Sequence, residues 1–460
     1  MGAGVSHWKL ANSVSRLGQL GVVSGTAIDQ ILVRRLQDGD PGGHMRRGLD
    51  RFPFGNMADR IWSTYYISGG KPRNRSYLSL PKQSKNSPRE LVELCIVANF
   101  VEVTLAREGH DNPVGINYLE KIRIPHLPSL YGAMLAGVHY VLMGAGIPLK
   151  IPGVLDRLAN HETATYDLPV TGSQAGDDTA ITFVPRDYNQ GECKPLVRPL
   201  FLAIVASNTL ALSLVKKANG AVDGFVVEGP LAGGHNAPPR GKLQLTEVGE
   251  PIYGERDTVD LQKMRELGLP FWLAGGYGSP ERLRAALAAG ATGVQIGTAF
   301  AFCSESGLRE DYKQALLHKA ILGRAEVFTD PLASPTGYPF KAAQLEGTNS
   351  EAEVYLARPR ICDLGYLREA YRTAAGTIDY RCAGEPVSVY LSKGGKVEDT
   401  IGRKCLCNAL VANIGHAQIR GNYTERGLIT SGDDLSKIWS FLPSNGSAYS
   451  AADVIARLLA

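Results

Sequence analysis

One feature constrains this chain more than any other. Over residues 1–330, short continuous apolar runs alternate with amphipathic stretches of helical period. Eight runs read as strands: 1–5, 19–23, 113–117, 139–143, 200–206, 224–228, 270–274 and 293–296. Helical patterns fall between them, among them 8–17, 209–218, 257–267 and 280–289. Strands that are apolar throughout, rather than at alternate positions, are covered on both faces, as in parallel sheets. Eight such strands with interleaved helices predict an α/β fold, a (β/α)8 TIM barrel. Periodicity alone leaves a doubly wound open sheet as the alternative.

Two insertions interrupt the repeat. The first, about 38–112, holds a basic stretch with Lys71, Arg73, Arg75, Lys82, Lys85 and Arg89. It reads as a solvated loop or, more sharply, as a docking surface for an anionic partner. The second, 161–198, is polar and turn-rich, and its position suggests a lid. The barrel is assigned to 1–329. Residues 330–460 are proline-rich and irregular and end in a helix near 451–459, as expected of a C-terminal extension or small accessory domain and a candidate homodimer contact.

Composition narrows the class of function. The 49 basic and 45 acidic residues leave a net charge of +4 over 460 residues, too dilute to predict a nucleic-acid partner. No apolar run is long enough to span a membrane and no signal-peptide core stands at the start, so a soluble cytoplasmic protein is expected. Seven cysteines in a chain of this size argue against a disulfide framework. Four of them, Cys362, Cys382, Cys405 and Cys407, lie in the tail. Their spacing lacks the two-residue gap of metal knuckles, so they read as buried thiols and no metal is assigned.

A parallel barrel reacts at the C-terminal ends of its strands. The seventh predicted strand ends in Ala274-Gly275-Gly276-Tyr277-Gly278-Ser279-Pro280 and the eighth in Gln295-Ile296-Gly297-Thr298, each opening into a helix. Glycines before two adjacent helix N-termini offer unpaired N–H groups to a phosphate. The sixth ends in Glu228-Gly229-Pro230-Leu231-Ala232-Gly233-Gly234-His235. Two bare glycines there admit a planar ligand, and His235 can move a proton near neutral pH or merely bond within its loop. Other strand ends are equally stripped: Gly2-Ala3-Gly4, Gly115-Ile116-Asn117 and Gly144-Ala145-Gly146. A flavin or nicotinamide ring needs that clearance; a sugar phosphate does not.

Taken in order, these blocks resemble the nitronate monooxygenase family, the 2-nitropropane dioxygenase-like flavoproteins, over about residues 1–305. The resemblance implies an FMN-dependent TIM barrel. Gly275, Gly276, Gly278, Gly297 and Thr298 would hold the FMN phosphate. Gly2, Ala3 and Asn117 would line the flavin ring, with Gly233 and Gly234 behind it and His235 as the proton-transfer residue. The implied reaction oxidises a small-molecule substrate, an alkyl nitronate, with O2 as electron acceptor. The loop departs from the family pattern, because His235 leads into Asn236-Ala237-Pro238-Pro239-Arg240 rather than a nearby glycine, and Tyr277 replaces the usual isoleucine. The same superfamily holds NAD(P)H-dependent FMN enoyl reductases. Arg240 and the basic stretch would suit an acyl-carrier protein bearing phosphopantetheine. The long tail resembles the extended bacterial subgroup.

Overall fold

The structure, a computed structural model, describes all residues except Met1, Gln190, Glu192 and Asn445. Its centre is an all-parallel sheet of Gly21–Ser24 (β1), Val114–Leu119 (β2), Tyr140–Gly144 (β3), Leu200–Val205 (β4), Gly224–Glu228 (β5), Phe271–Ala274 (β6) and Gly293–Gln295 (β7). Each strand pairs with the next in chain order. Seven of the eight expected strands are therefore present within a residue or two of their expected bounds, and the parallel α/β class holds.

The correction concerns the segment 1–5. Met1 lies outside the described residues, and Gly2–Val5 form a turn closed by the Val5 N–H on the Gly2 carbonyl at 3.2 Å. Gly4 is left-handed at φ +66°, and Val5 is the single β-branched residue there, so extended pairing has little to favour it. The sheet still curls. Leu142, Leu202, Val226 and Ala274 meet on its concave face, and Gly21 and Val22 of β1 share an apolar groove of about 400 Å³ with Gly293, Val294 and Gln295 of β7.

Helices cover the convex face in one large core. Trp8–Arg16 packs on β1, and Arg89–Ala106 buries nearly its whole circumference between Trp8–Arg16, Ile28–Gln37 and His126–Leu135. Helices Asn208–Lys217 and Pro280–Ala288 start on Ser207 and Ser279, whose hydroxyls accept the N–H groups of Leu210 and Arg282.

The insertions are more ordered than solvated loops. The first folds helices His44–Leu49 and Gly55–Tyr65 before the long helix, and three of the six cations in its basic stretch find partners within the chain: Lys85 pairs with Asp178, Arg89 with Glu93, and Lys71 stands over the Tyr77 ring at 4.1 Å. The second forms an antiparallel pair, Ala164–Asp167 with Ala180–Phe183. It is held to the tail where Val170–Thr171 pairs with Ala370–Tyr371 and Asp177 meets Arg372 at 3.0 Å.

After residue 330 the chain wraps back over the C-terminal end of the sheet. Val327–Asp330 and Phe340–Ala343 form a hairpin whose second strand pairs with Gly234–His235. A buried ion pair stiffens the tail: Arg358 grips both oxygens of Glu425 at 2.7 and 2.8 Å, with exposures of 1% and 0%. Helix Ala451–Leu459 packs against Trp8–Arg16 and Pro280–Ala288. No described helix is long and apolar enough to cross a membrane.

Candidate active site

One cavity opens at the C-terminal ends of β5, β6 and β7. Its wall combines Glu228, Ala232 and Gly233 after β5, Ala274–Tyr277 after β6 and Gln295–Thr298 after β7 with Gly2, Val5 and Ser6 at the start of the chain. Of the residues singled out from sequence, Gly2, Gly233, Gly275, Gly276, Gly297 and Thr298 line it. Ala3, Asn117, Gly234, Gly278 and His235 are not part of that lining. Ala3 and Asn117 are buried, and the carbonyl of Asn117 accepts the Gly25 N–H at 2.8 Å. Gly234 and His235 stand one and two residues behind the rim, in the short strand that joins the tail.

The turn after β6 is built for glycine. Gly275 and Gly276 have φ of +85° and +80°, and a Cβ would come within 3.0 Å of the Ala232 nitrogen at the first and 2.9 Å of the Leu231 side chain at the second. Gly297 faces open space. Among the described residues, the N–H groups of Gly275, Gly276 and Tyr277 enter none of the turn and cap hydrogen bonds of this junction. Backbone donors with no side chains in front of them are what an oxyanion needs.

The rest of the wall comes from the tail, at Thr430, Ser431, Gly432 and Asp434. The Gly432 N–H donates to the Thr298 hydroxyl at 3.0 Å, and the Gly278 N–H donates to the Asp434 carboxylate at 3.1 Å. Gly233 packs so closely on this stretch that a Cβ would lie 2.5 Å from the Ser431 carbonyl carbon. Sequence reasoning missed these residues, since Thr-Ser-Gly-Asp-Asp reads as an ordinary turn.

It also passed over Glu228, whose signal was a carboxylate ending an otherwise apolar strand. Burial pushes the Glu228 carboxyl up to about 7. Glu228 borders a second cavity too, shared with Ser207, Pro238, Arg240 and Tyr253.

His235 is fixed from two sides. Its backbone pairs with Phe340, and the two rings meet edge-on at 5.0 Å. Its Nε2 lies 2.7 Å from the Ser334 hydroxyl. Burial, and then the nearby Lys121, hold the imidazole well below its usual range, so it is neutral at pH 7. Asn236 explains the loop's departure from a following glycine: its amide donates to the Pro230 and Ala232 carbonyls at 3.2 and 3.0 Å and ties the turn together. The four tail cysteines are free thiols, and no group of three or more metal-ligating side chains is placed to hold a metal among the described residues.

Comparison with known proteins points to the same strand ends. Residues 196–338 match the family model described as nitronate monooxygenase. A nitronate monooxygenase of Paraburkholderia phytofirmans is 30% identical over 185 residues, which is 39% of this chain and 47% of that protein. One from Pseudomonas aeruginosa is 38% identical over 113 residues, covering 25% and 30% of the two chains. A 5-hydroxy-7a-methyl-1-oxo-octahydro-1H-indene-4-carboxyl-CoA dehydrogenase of Mycobacterium tuberculosis is 32% identical over 108 residues, 24% of this chain and 27% of that one. The chain thus spans about half or less of each relative. From β4 through β7 to the hairpin turn beyond them, it carries the sequence pattern of the nitronate monooxygenase family.

Proposed function

We propose that the protein is an FMN-dependent oxidoreductase that oxidises an alkyl nitronate or a related carbon acid with O2, His235 moving the substrate proton. The observation that carries this reading is the pair of glycine-bearing junctions after β6 and β7, which open on one cavity. The residues fit a phosphate-bearing flavin: Gly275, Gly276, Gly297 and Thr298 would hold the phosphate, and Gly2 and Gly233 would leave room for the ring. Bound there, the flavin would take up the electron pair of the substrate and pass it to O2.

The chain's own groups then have separate tasks. Where the substrate is the neutral carbon acid, His235 accepts the proton from carbon, its Nδ1 taking part in no hydrogen bond among the described residues; a nitronate has already lost that proton. Glu228, titrating near neutrality, sets the charge of the wall beside the substrate. The tail's Thr430–Gly432 covers the cavity and limits water.

An absorbance spectrum followed by anaerobic additions tests this directly. The expected result is a yellow protein whose flavin a nitronate bleaches without NAD(P)H, with His235→Ala slowing turnover of the protonated carbon acid, the parent nitroalkane, on the order of 10²-fold. A folded protein that takes up no FMN, or full activity in His235→Ala, would refute it.

One observation supports a second reading, an NAD(P)H-dependent FMN enoyl reductase acting on an acyl thioester. The cavity lined by Arg240 shares Glu228 with the flavin cavity, which would let a pantetheine arm from CoA or an acyl-carrier protein reach the ring. The mycobacterial relative's name carries a CoA thioester. Rapid NAD(P)H oxidation with an enoyl thioester, and none with nitronates, decides for it.

A further inference from the structure

Behind His235 the hydrogen bonds continue. Ser334 Oγ sits 2.7 Å from His235 Nε2 and 2.8 Å from Thr336 Oγ1, and Thr336 Oγ1 lies 3.2 Å from Lys121 Nζ. We infer that His235, Ser334, Thr336 and Lys121 form one proton relay, in which Lys121 holds the proton that His235 takes from substrate. This rests on the reading of His235 as the proton-transfer residue and adds to it a store for the proton.

The relay joins two distant parts of the chain. Lys121 follows the C-terminal end of β2, whereas Ser334 and Thr336 lie in the turn between Val327–Asp330 and Phe340–Ala343. That turn is held firmly: Asp330 accepts the N–H groups of Leu332 and Ala333, and Arg403 donates to the Leu332 and Ser334 carbonyls at 2.8 and 2.7 Å. Ser334 is fully buried.

Counting hydrogens gives the chain two self-consistent states. The Thr336 backbone N–H donates to Ser334 Oγ at 3.2 Å. If His235 carries its proton on Nε2, Ser334 accepts twice and its own hydrogen must point to Thr336, whose hydrogen in turn meets an unprotonated Lys121 amine. If Lys121 is an ammonium it donates to Thr336, the hydroxyl hydrogens reverse, and Ser334 donates to an Nε2 that has lost its proton. In transfer, the substrate proton arrives at Nδ1, the Nε2 proton passes to Ser334, and one proton per hydroxyl moves on until Lys121 Nζ gains one. The imidazole ends neutral, with no net change at either hydroxyl.

The surroundings of each end suit this. Burial holds the His235 imidazole well below its usual range, so it passes a proton on more readily than it keeps one. Burial also brings the Lys121 ammonium down to about 7, against the opposing pull of Glu120. Glu120 is engaged elsewhere, by Arg123 at 2.5 Å and the Tyr166 hydroxyl at 3.0 Å. Besides Thr336, Lys121 meets the face of Tyr338 at 3.5 Å, and it forms no ion pair among the described residues. The rings of Phe340 and Tyr338 flank His235.

The decisive measurement is the tautomer of His235, read from imidazole ¹⁵N shifts of the flavin-free protein between about pH 5 and pH 9. The expected result is the Nδ1–H form at low pH, the Nε2–H form at high pH, and a midpoint within about one unit of 7. Lys121→Met should abolish the change. Thr336→Val, which leaves the lysine in place, should abolish it too. A tautomer that is constant with pH in the native protein, or an unmoved midpoint in both variants, overturns the relay. In the flavin-loaded enzyme, Lys121→Met should remove the limb near pH 7 from the kcat profile and leave KM unchanged. A tautomer switch in a protein that no nitronate reduces would sink the proposed substrate and leave the relay standing.

Discussion

Replacing Glu228 by Gln tests the electrostatics of the cavity wall without any substrate. The carboxyl titrates at about 7 in the folded chain against 4.5 for the free side chain, and no cation pairs with it among the described residues. A raised acid pKa gives the folded state extra proton affinity. Its contribution to stability is therefore complete below pH 4.5 and is lost as pH rises through 7. Two and a half units at 1.36 kcal/mol each put the full loss at about 3 kcal/mol, most of it between pH 5 and pH 8. Glu228→Gln keeps the shape and removes the charge. Denaturation midpoints of the two flavin-free proteins, compared across that range, should diverge, with the variant gaining about 3 kcal/mol on the native chain as pH rises. A stability difference that stays flat from pH 5 to pH 8 would show that Glu228 is solvated and that the wall beside the cavity is wet.

Two further outcomes follow from side chains on the tail. Asp434 places a carboxylate against the Gly278 N–H, where it would repel a phosphate held as proposed, so Asp434→Asn should tighten FMN binding about tenfold in a fluorescence titration; weaker binding would mean that the carboxylate holds the turn in shape. Arg358→Ala leaves Glu425 in the interior with Arg420, at 3.0 Å, as its remaining cation. It should cost about 3 kcal/mol in urea denaturation, near the lower end for a broken buried pair.

Much of this architecture was legible in the residues because continuous Val/Ile/Leu/Phe runs have few other places to go. β2 to β7 each fall within a residue or two of their apolar runs, and helix Ala451–Leu459 stands where its apolar stripe put it. The segment 1–5 misled because an apolar glycine-rich run fits a strand and a turn equally well until the φ of Gly4 is known. At the cavity, Gly275 and Gly276 could be picked out since positive φ leaves glycine little competition. Ser431, Gly432 and Asp434 could not, because their roles depend on a contact set by tertiary folding. The same holds for the relay: Ser334 and Thr336 are unremarkable in sequence, and Lys121 becomes unusual only when burial strips its water.

The distances that close the cavity also set a timetable for its assembly. Gly432 reaches back 134 residues to Thr298, and Asp434 is reached from Gly278 across 156. A nascent chain would have all seven parallel strands outside the ribosome well before the residues that wall the pocket are synthesised. Through that interval the bare glycine turns face solvent unroofed, and premature termination anywhere ahead of Thr430 would leave them without the wall that Thr430, Ser431, Gly432 and Asp434 supply.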